Sequence, residues 1–365
     1  VRHYEQEYPM NKIRLLDLRE VSPLRSQTMY HAAAYAMTPD SPDTIILISS
    51  NRPYVCVGYH QDVEKEIDVE ACQARNLPIL RREVGGGSVY LDDGQTFTQW
   101  IFQRDHLPRD LAERFALYVR PLVETYQALG IAAYHRPIND IHVAGKKIGG
   151  TGAATLGEAE VVVGSLMFTF DKATMARVLK VSSEKMRDKI FESLEQYMTT
   201  MTEQLGQRPE RQNVVNVYVQ KCAEALRAEV MPGEWTAAEE TLAAELDARF
   251  MADEWVYQKG GLRQSGVKIH EDVRIVETAF KAPGGLIRIT ARLREGRIDD
   301  LAISGDFTVL PAFALSAVEQ AARGLNATRA LLTRRIQDVY RALAIQSPGV
   351  TPENFAEAIV LAASQ

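Results

Sequence analysis

Two rhythms of apolar and polar positions alternate along the chain. Thr44 to Ser50 and Tyr54 to Tyr59 are short apolar or β-branched runs bounded by polar residues, which predicts strands. Pro78 to Phe102 predicts strand, glycine turn and strand, and the alternation in "SVYL" and "TFTQWIF" suits an antiparallel sheet. The other rhythm is helical. Arg25 to Met37 and Val69 to Arg75 read as helices, and Leu111 to Leu129 carries Leu111, Phe115, Tyr118, Val119 and Leu122 at helical spacing before Gly130. "NDIHVAGKKIGG" followed by "EVVVGSLMFTF" predicts a second strand–turn–strand set. From Lys185 to Asp253 the pattern is mainly helical, broken at Gly206–Pro209 and Pro232–Gly233.

A polar, glycine-rich stretch, "YQKGGLRQSG", then reads as a linker. Beyond it, "VRIVETAF", "GLIRITARL" and "RIDDLAIS" predict a three-strand meander, and helices are expected to start near Pro311, Thr328 and Thr351. The expected fold class is therefore α+β: an antiparallel-rich sheet with packed helices, then a smaller α+β domain. The expected division is a catalytic domain over 1–256, a linker over 257–266 and an accessory domain over 267–365.

Composition narrows the function classes. The 365 residues carry 46% hydrophobic and 25% charged positions, as a globular protein does. A net charge of -6 argues against sequence-independent binding of nucleic acid, which needs clustered Lys and Arg. No apolar run is long enough for a transmembrane helix, so no membrane partner is expected. Cys56, Cys72 and Cys222 lie far apart and form no CxxC pair, which suggests neither a zinc site nor a disulfide framework. A reducing compartment fits, and a cytoplasmic enzyme is the expectation.

Two segments hold the candidate chemistry. In "RREVGGGSVYLDDGQ", Gly85, Gly86 and Gly87 remove every Cβ from a short turn, so the backbone can approach an anion closely. Arg81 and Arg82 just ahead are suited to charge-assisted contacts with a phosphate or carboxylate. The spacing is neither that of a P-loop nor that of a Rossmann fingerprint. In "NDIHVAGKKIGGTGAA", the two lysines of one strand point to opposite faces, so only one of Lys146 and Lys147 enters a pocket. Such a lysine is a compact charge suited to a carboxylate and an α-phosphate drawn together. Asp140 is a candidate magnesium ligand or a turn cap.

Together these segments resemble the lipoate–protein ligase family of the lipoate/biotin ligase superfamily. Its pattern is close to RR-x-x-GGG-x-V-[FY]-x-D-x-G-N, then N-D, a short strand and K-[VI]-S-G-[ST]-A. "VCVGYHQD" and "GSLMF" are similar to further family strands, and "REGRIDDLAISGDF" resembles the accessory domain of two-domain members. The resemblance implies that Arg82 contacts the nucleotide and that Gly85, Gly86 and Gly87 cradle the acyl-adenylate, with Ser88, Val89 and Tyr90 continuing the loop. It implies Lys147 as the catalytic lysine and Asn139 with Asp140 on the nucleotide side. The chain departs from the family at Tyr59 (arginine), Leu91 (histidine), Gln95 (asparagine), Gly149 (serine) and Val163 (histidine).

The activity so implied is ATP-dependent: lipoic acid becomes lipoyl-AMP with release of pyrophosphate, and the lipoyl group passes to a lysine of a lipoyl domain or an H-protein-like carrier. ATP and magnesium are then co-substrates, and no tightly bound prosthetic group is expected. Two alternatives stay open: an ATP-independent octanoyl or lipoyl transferase of the same superfamily, and a non-catalytic carrier-binding protein. One transferase branch uses a cysteine nucleophile, and here no cysteine falls between Lys147 and Cys222. The C-terminal segment holds none of these motifs and is expected to lie outside the nucleotide pocket, closing over it.

Overall fold

A computed structural model describes residues 11–258 and 273–364. Its largest sheet runs in the order Gly152–Leu156, Ala159–Met167, Gln95–Gln103, Thr44–Ser50, Asn11–Val21 and Ala228–Pro232. The first four strands pair antiparallel and the last two add in parallel. The run "TIILISS" is buried throughout, with four apolar residues at its centre, because both faces of its strand are covered. Ile45 and Leu47 pack with Trp100, Phe115 and Tyr118 of one core, whereas Ile46 and Ile48 pack with Tyr30, Ala33 and Phe97 of another. Leu111–Ala128 and Arg211–Leu226 supply the first cover, and Pro23–Tyr35 the second.

Two small sheets flank this frame and carry the motif segments. Ile79–Arg81, Tyr54–Val57 and Val89–Leu91 form one, and Ala133–Arg136, Asp140–Val143 and Lys146–Gly150 form the other. The expected α+β class and antiparallel-rich sheet are present.

Residues 273–364 form an antiparallel meander, Val273–Ala282, Gly285–Arg294 and Arg297–Gly305, backed by helices Ala314–Ala322, Arg329–Ala342 and Pro352–Ala363. They share a core of their own around Ile287, Ile303, Phe307, Leu332 and Phe355. The expected linker, from residue 259 onward, lies outside the described residues. The segment is seated on the rest of the chain by specific bonds. Arg288 grips Glu66 through Nε at 2.6 Å and Nη2 at 3.2 Å, and Lys65 reaches Glu277 at 3.0 Å. The amide of Gln346 clasps the start of a helix, accepting from Leu111 N and donating to the Arg109 carbonyl. Among the described residues, no helix is long and apolar enough to cross a membrane.

Candidate active site

The triple-glycine loop is held from three sides. Arg82 donates from Nη2 to the carbonyls of Gly85 at 2.9 Å and Gly87 at 2.8 Å, so it organises the loop as well as lining the cavity beside it. Gln61 Oε1 accepts from Gly58 N at 2.9 Å and from Ser88 Oγ at 3.0 Å, tying the loop to the "GYHQ" turn. The third support comes from the C-terminal segment, where Phe307 O accepts from Gly86 N at 3.2 Å. Gly86 has φ +92, a conformation that side-chain-bearing residues rarely adopt. Gly58 is equally constrained, because a Cβ there would fall 1.9 Å from Gly86 O.

Arg81, its neighbour in sequence, does something else. Its guanidinium is fully buried and donates to the carbonyls of Gly58, Tyr59, Gln61, Trp255 and Val256. Burial pulls its pKa down to about 10. The anion-contact role considered for Arg81 is thereby corrected: it fastens the chain near Val256 to the turn that braces the glycine loop.

Lys147 and Lys146 diverge as strand geometry requires. Lys147 lines the cavity, with Nζ 2.7 Å from Asp140 Oδ1, whereas Lys146 turns away and donates to Glu195 O at 3.1 Å. Gly150 leaves room for the Lys147 side chain, since a Cβ there would lie 2.9 Å from Nζ. Asn139 also lines the cavity, but its amide is committed to Thr151 O. Asp140 faces Lys147 and, at 3.9 Å, His142. Among the described residues no three His, Cys, Asp or Glu side chains converge on a metal site. Asp140 is the ion-pair partner of Lys147, and a single carboxylate of this kind would share a magnesium ion with substrate phosphates.

These parts share one cavity of about 610 Å³. It brings together the residues that the family resemblance implies, Arg82, Gly85, Gly86, Gly87, Ser88, Val89, Tyr90, Asn139, Asp140 and Lys147, and leaves out Arg81 and Lys146. It also includes residues without a motif to mark them: Tyr30 and Phe97 add apolar and aromatic wall beside Val163, one of the departures from the family pattern, and Arg136 adds charge. Lys281, Gly284, Gly285, Asp306 and Thr308 enter from the C-terminal segment. The expectation that this segment lies outside the pocket is thus corrected. A Cβ on Gly85 would meet Thr308 Oγ1 at 2.9 Å, so loop and segment are in close packing.

The cysteines lie outside the cavity, and Cys56 meets it through Arg82, whose Nη1 is 3.7 Å from its Sγ. Cys56, Cys72 and Cys222 are buried and none lines the cavity. Burial raises all three thiols, Cys72 to about 11, so none is poised as a thiolate.

Comparison with known proteins agrees with this arrangement. Residues 23–223 match the family model of the lipoyl protein ligase A/B catalytic domain. The octanoyltransferase LipM of Kyrpidia tusciae is 28% identical over 243 residues, covering 60% of this chain and 88% of that protein. Lipoate-protein ligase A subunit 1 of Thermoplasma acidophilum is 27% identical over 253 residues, covering 66% and 95%. Among solved structures, the bi-partite lipoate protein ligase of Thermoplasma acidophilum, described with its E2 lipoyl domain, superposes with a TM-score of 0.62 at 25% identity, over 67% of this chain and 96% of that one. The P. falciparum LipL1 structure in complex with lipoate shares the fold over 97% of this chain and 100% of that one, with a TM-score of 0.67 at 12% identity. The chain belongs to the lipoyl protein ligase A/B family, whose members include lipoate ligases and octanoyltransferases.

Proposed function

We propose that the chain is an ATP-dependent lipoate–protein ligase. The observation that carries this reading is the content of the cavity: a lysine–carboxylate pair and a triple-glycine loop line it together, and no cysteine does. A carboxylate forms no amide unaided, because its oxygen leaves poorly. Adenylation changes the leaving group. A carboxylate oxygen of lipoate attacks the α-phosphorus of ATP, the bond to pyrophosphate breaks, and lipoyl-AMP remains.

In this reading Lys147 shifts from Asp140 to the incoming carboxylate and α-phosphate, offsetting their mutual repulsion and stabilising charge on the phosphorane. The glycine loop positions the phosphate, and Arg82 keeps that loop in shape while contributing its charge. Tyr30, Phe97 and Val163 give the acyl chain an apolar wall. Any magnesium would neutralise charge on the nucleotide phosphates, with Asp140 the available carboxylate. In the second half-reaction the amine of a carrier lysine attacks the acyl carbon, AMP leaves with the bonding electrons, and the amine loses a proton. A lipoyl domain or H-protein-like carrier is the proposed acceptor, by analogy with the E2 lipoyl domain of the archaeal ligase.

The second reading is an octanoyltransferase, favoured by the match to LipM of Kyrpidia tusciae. That reaction moves an acyl group between carriers and consumes no ATP. Incubating the full chain with ATP, lipoate and an apo lipoyl domain separates the two. Pyrophosphate release in step with lipoylation supports the ligase; acyl transfer from an octanoylated carrier without ATP, and no pyrophosphate, supports the transferase.

A further inference from the structure

Four cationic side chains line the cavity: Arg82, Arg136, Lys147 and Lys281. Three are engaged within the protein. Arg82 holds the glycine-loop carbonyls, Lys147 pairs with Asp140, and Arg136 lies 3.4 Å from His142 Nε2. Lys281 is different: among the described residues its ammonium has no ion pair or hydrogen bond. It comes from the C-terminal segment, which packs against the glycine loop through Phe307 O and Thr308.

The turn that carries Lys281 is built for close approach. Lys281 pairs with Leu286 across a hairpin whose bend contains Gly284 and Gly285. A Cβ on Gly284 would fall 2.3 Å from Pro348 O, and one on Gly285 would fall 2.6 Å from Asp306 Oδ1. Gly285 also has φ +148. Asp306 fixes the bend by accepting from Leu286 N. The next two residues of the same segment meet the glycine loop through Phe307 O and Thr308. An exposed lysine without a protein partner, beside a packed glycine turn and lining the same cavity as the triple-glycine loop, is suited to a polyanion bound there.

We infer that Lys281 binds the polyphosphate of the nucleotide, so that the C-terminal segment supplies a cation to the nucleotide site. This rests on reading the site as one that uses ATP. The lipoyl chain needs no such cation, and lipoyl-AMP no longer carries the pyrophosphate that Lys281 would meet. Lys281 therefore acts in adenylation and drops out of transfer.

The test uses the full chain. ATP affinity is measured by calorimetry, and the KM values for ATP and lipoate by pyrophosphate release, in the wild type, Lys281→Ala and Lys281→Arg. Lipoyl transfer from supplied lipoyl-AMP is followed in parallel. Loss of one charge-assisted contact predicts ATP binding and KM weaker by about ten- to hundredfold in Lys281→Ala. The lipoate KM and the transfer rate should stay within about twofold, and Lys281→Arg should recover most of the loss. Unchanged ATP affinity in Lys281→Ala, in a wild type that binds ATP and releases pyrophosphate, overturns this inference alone. An equal loss for lipoate and for transfer overturns it too, because it marks a general disturbance of the cavity. A wild type that neither binds ATP nor releases pyrophosphate overturns the ligase reading with it.

Discussion

Lys147 Nζ lies 2.7 Å from Asp140 Oδ1, across two neighbouring strands of one small sheet, while Lys146 beside it leaves the cavity altogether. A lysine paired with a single aspartate in this way is positioned before substrate arrives.

The two lysines should therefore behave unequally. Lys147→Ala is expected to lower lipoyl-adenylate formation by about a hundredfold or more, the scale seen when a charge-stabilising donor is lost. Lys146→Ala should keep most activity, since it gives up only an exposed contact with a helix carbonyl. Pyrophosphate release by each variant, with lipoate saturating, measures this. Equal losses would mean that the two lysines share the work.

Catalysis should need no cysteine. A variant with Cys56, Cys72 and Cys222 all replaced by Ala is expected to lipoylate a carrier at a rate near that of the wild type once its fold is confirmed by circular dichroism. Each change removes one buried sulfur, and the losses are expected in stability, about 1 kcal/mol per site. A folded but inactive variant, or a thioester adduct on any of the three, would move the assignment to a cysteine-dependent transferase.

Much of this was legible from residue order. Strand alternation separates Lys146 from Lys147, and the triple glycine identifies the loop. Other parts were hidden for physical reasons. Asn11–Val21 escapes notice because a register shift between Asp17 and Arg19, with Arg19 at φ 55, interrupts its period of two. Ala228–Pro232 is short and ends in proline, which reads as a helix break and not as an edge strand. Arg81 and Arg82 look alike in sequence, yet one is swallowed by backbone carbonyls and the other reaches the loop. Lys281 and Thr308 carry no local signal, because their place in the cavity depends on how two separately built cores are packed together.

Asp92 gives a stability prediction with a defined sign. Burial, aided by Asp93 and Asp171 and opposed by the N–H of Gly94, pushes its carboxyl up to about 6. A folded-state pKa above the unfolded value means that the stabilising effect is complete at low pH and is lost as pH rises through about 6. Asp92→Asn retains an oxygen for the Gly94 N–H and carries no charge. It should match the wild type near pH 4 and exceed it in stability above about pH 7. Urea denaturation across this range measures the difference. A gap that is constant with pH would assign the effect to something other than titration of Asp92.

The seat of the C-terminal segment can be tested through Arg288 and Glu66, which meet through two hydrogen bonds. If that seat brings Lys281 and Thr308 to the glycine loop, loosening it should harm adenylation more than transfer. Glu66→Arg alone and Arg288→Glu alone each place like charges together, and each is expected to slow pyrophosphate release from ATP and lipoate by about tenfold, with a smaller effect on transfer from supplied lipoyl-AMP. The double reversal restores opposite charges and should recover most of the lost rate, a coupling of about 1–3 kcal/mol. Hydrogen exchange at the Gly86 amide provides an independent readout, because its bond to Phe307 O depends on the same seat. Faster exchange at Gly86 with unchanged adenylation in both single variants would assign the segment to stability or carrier docking and withdraw it from the nucleotide reaction.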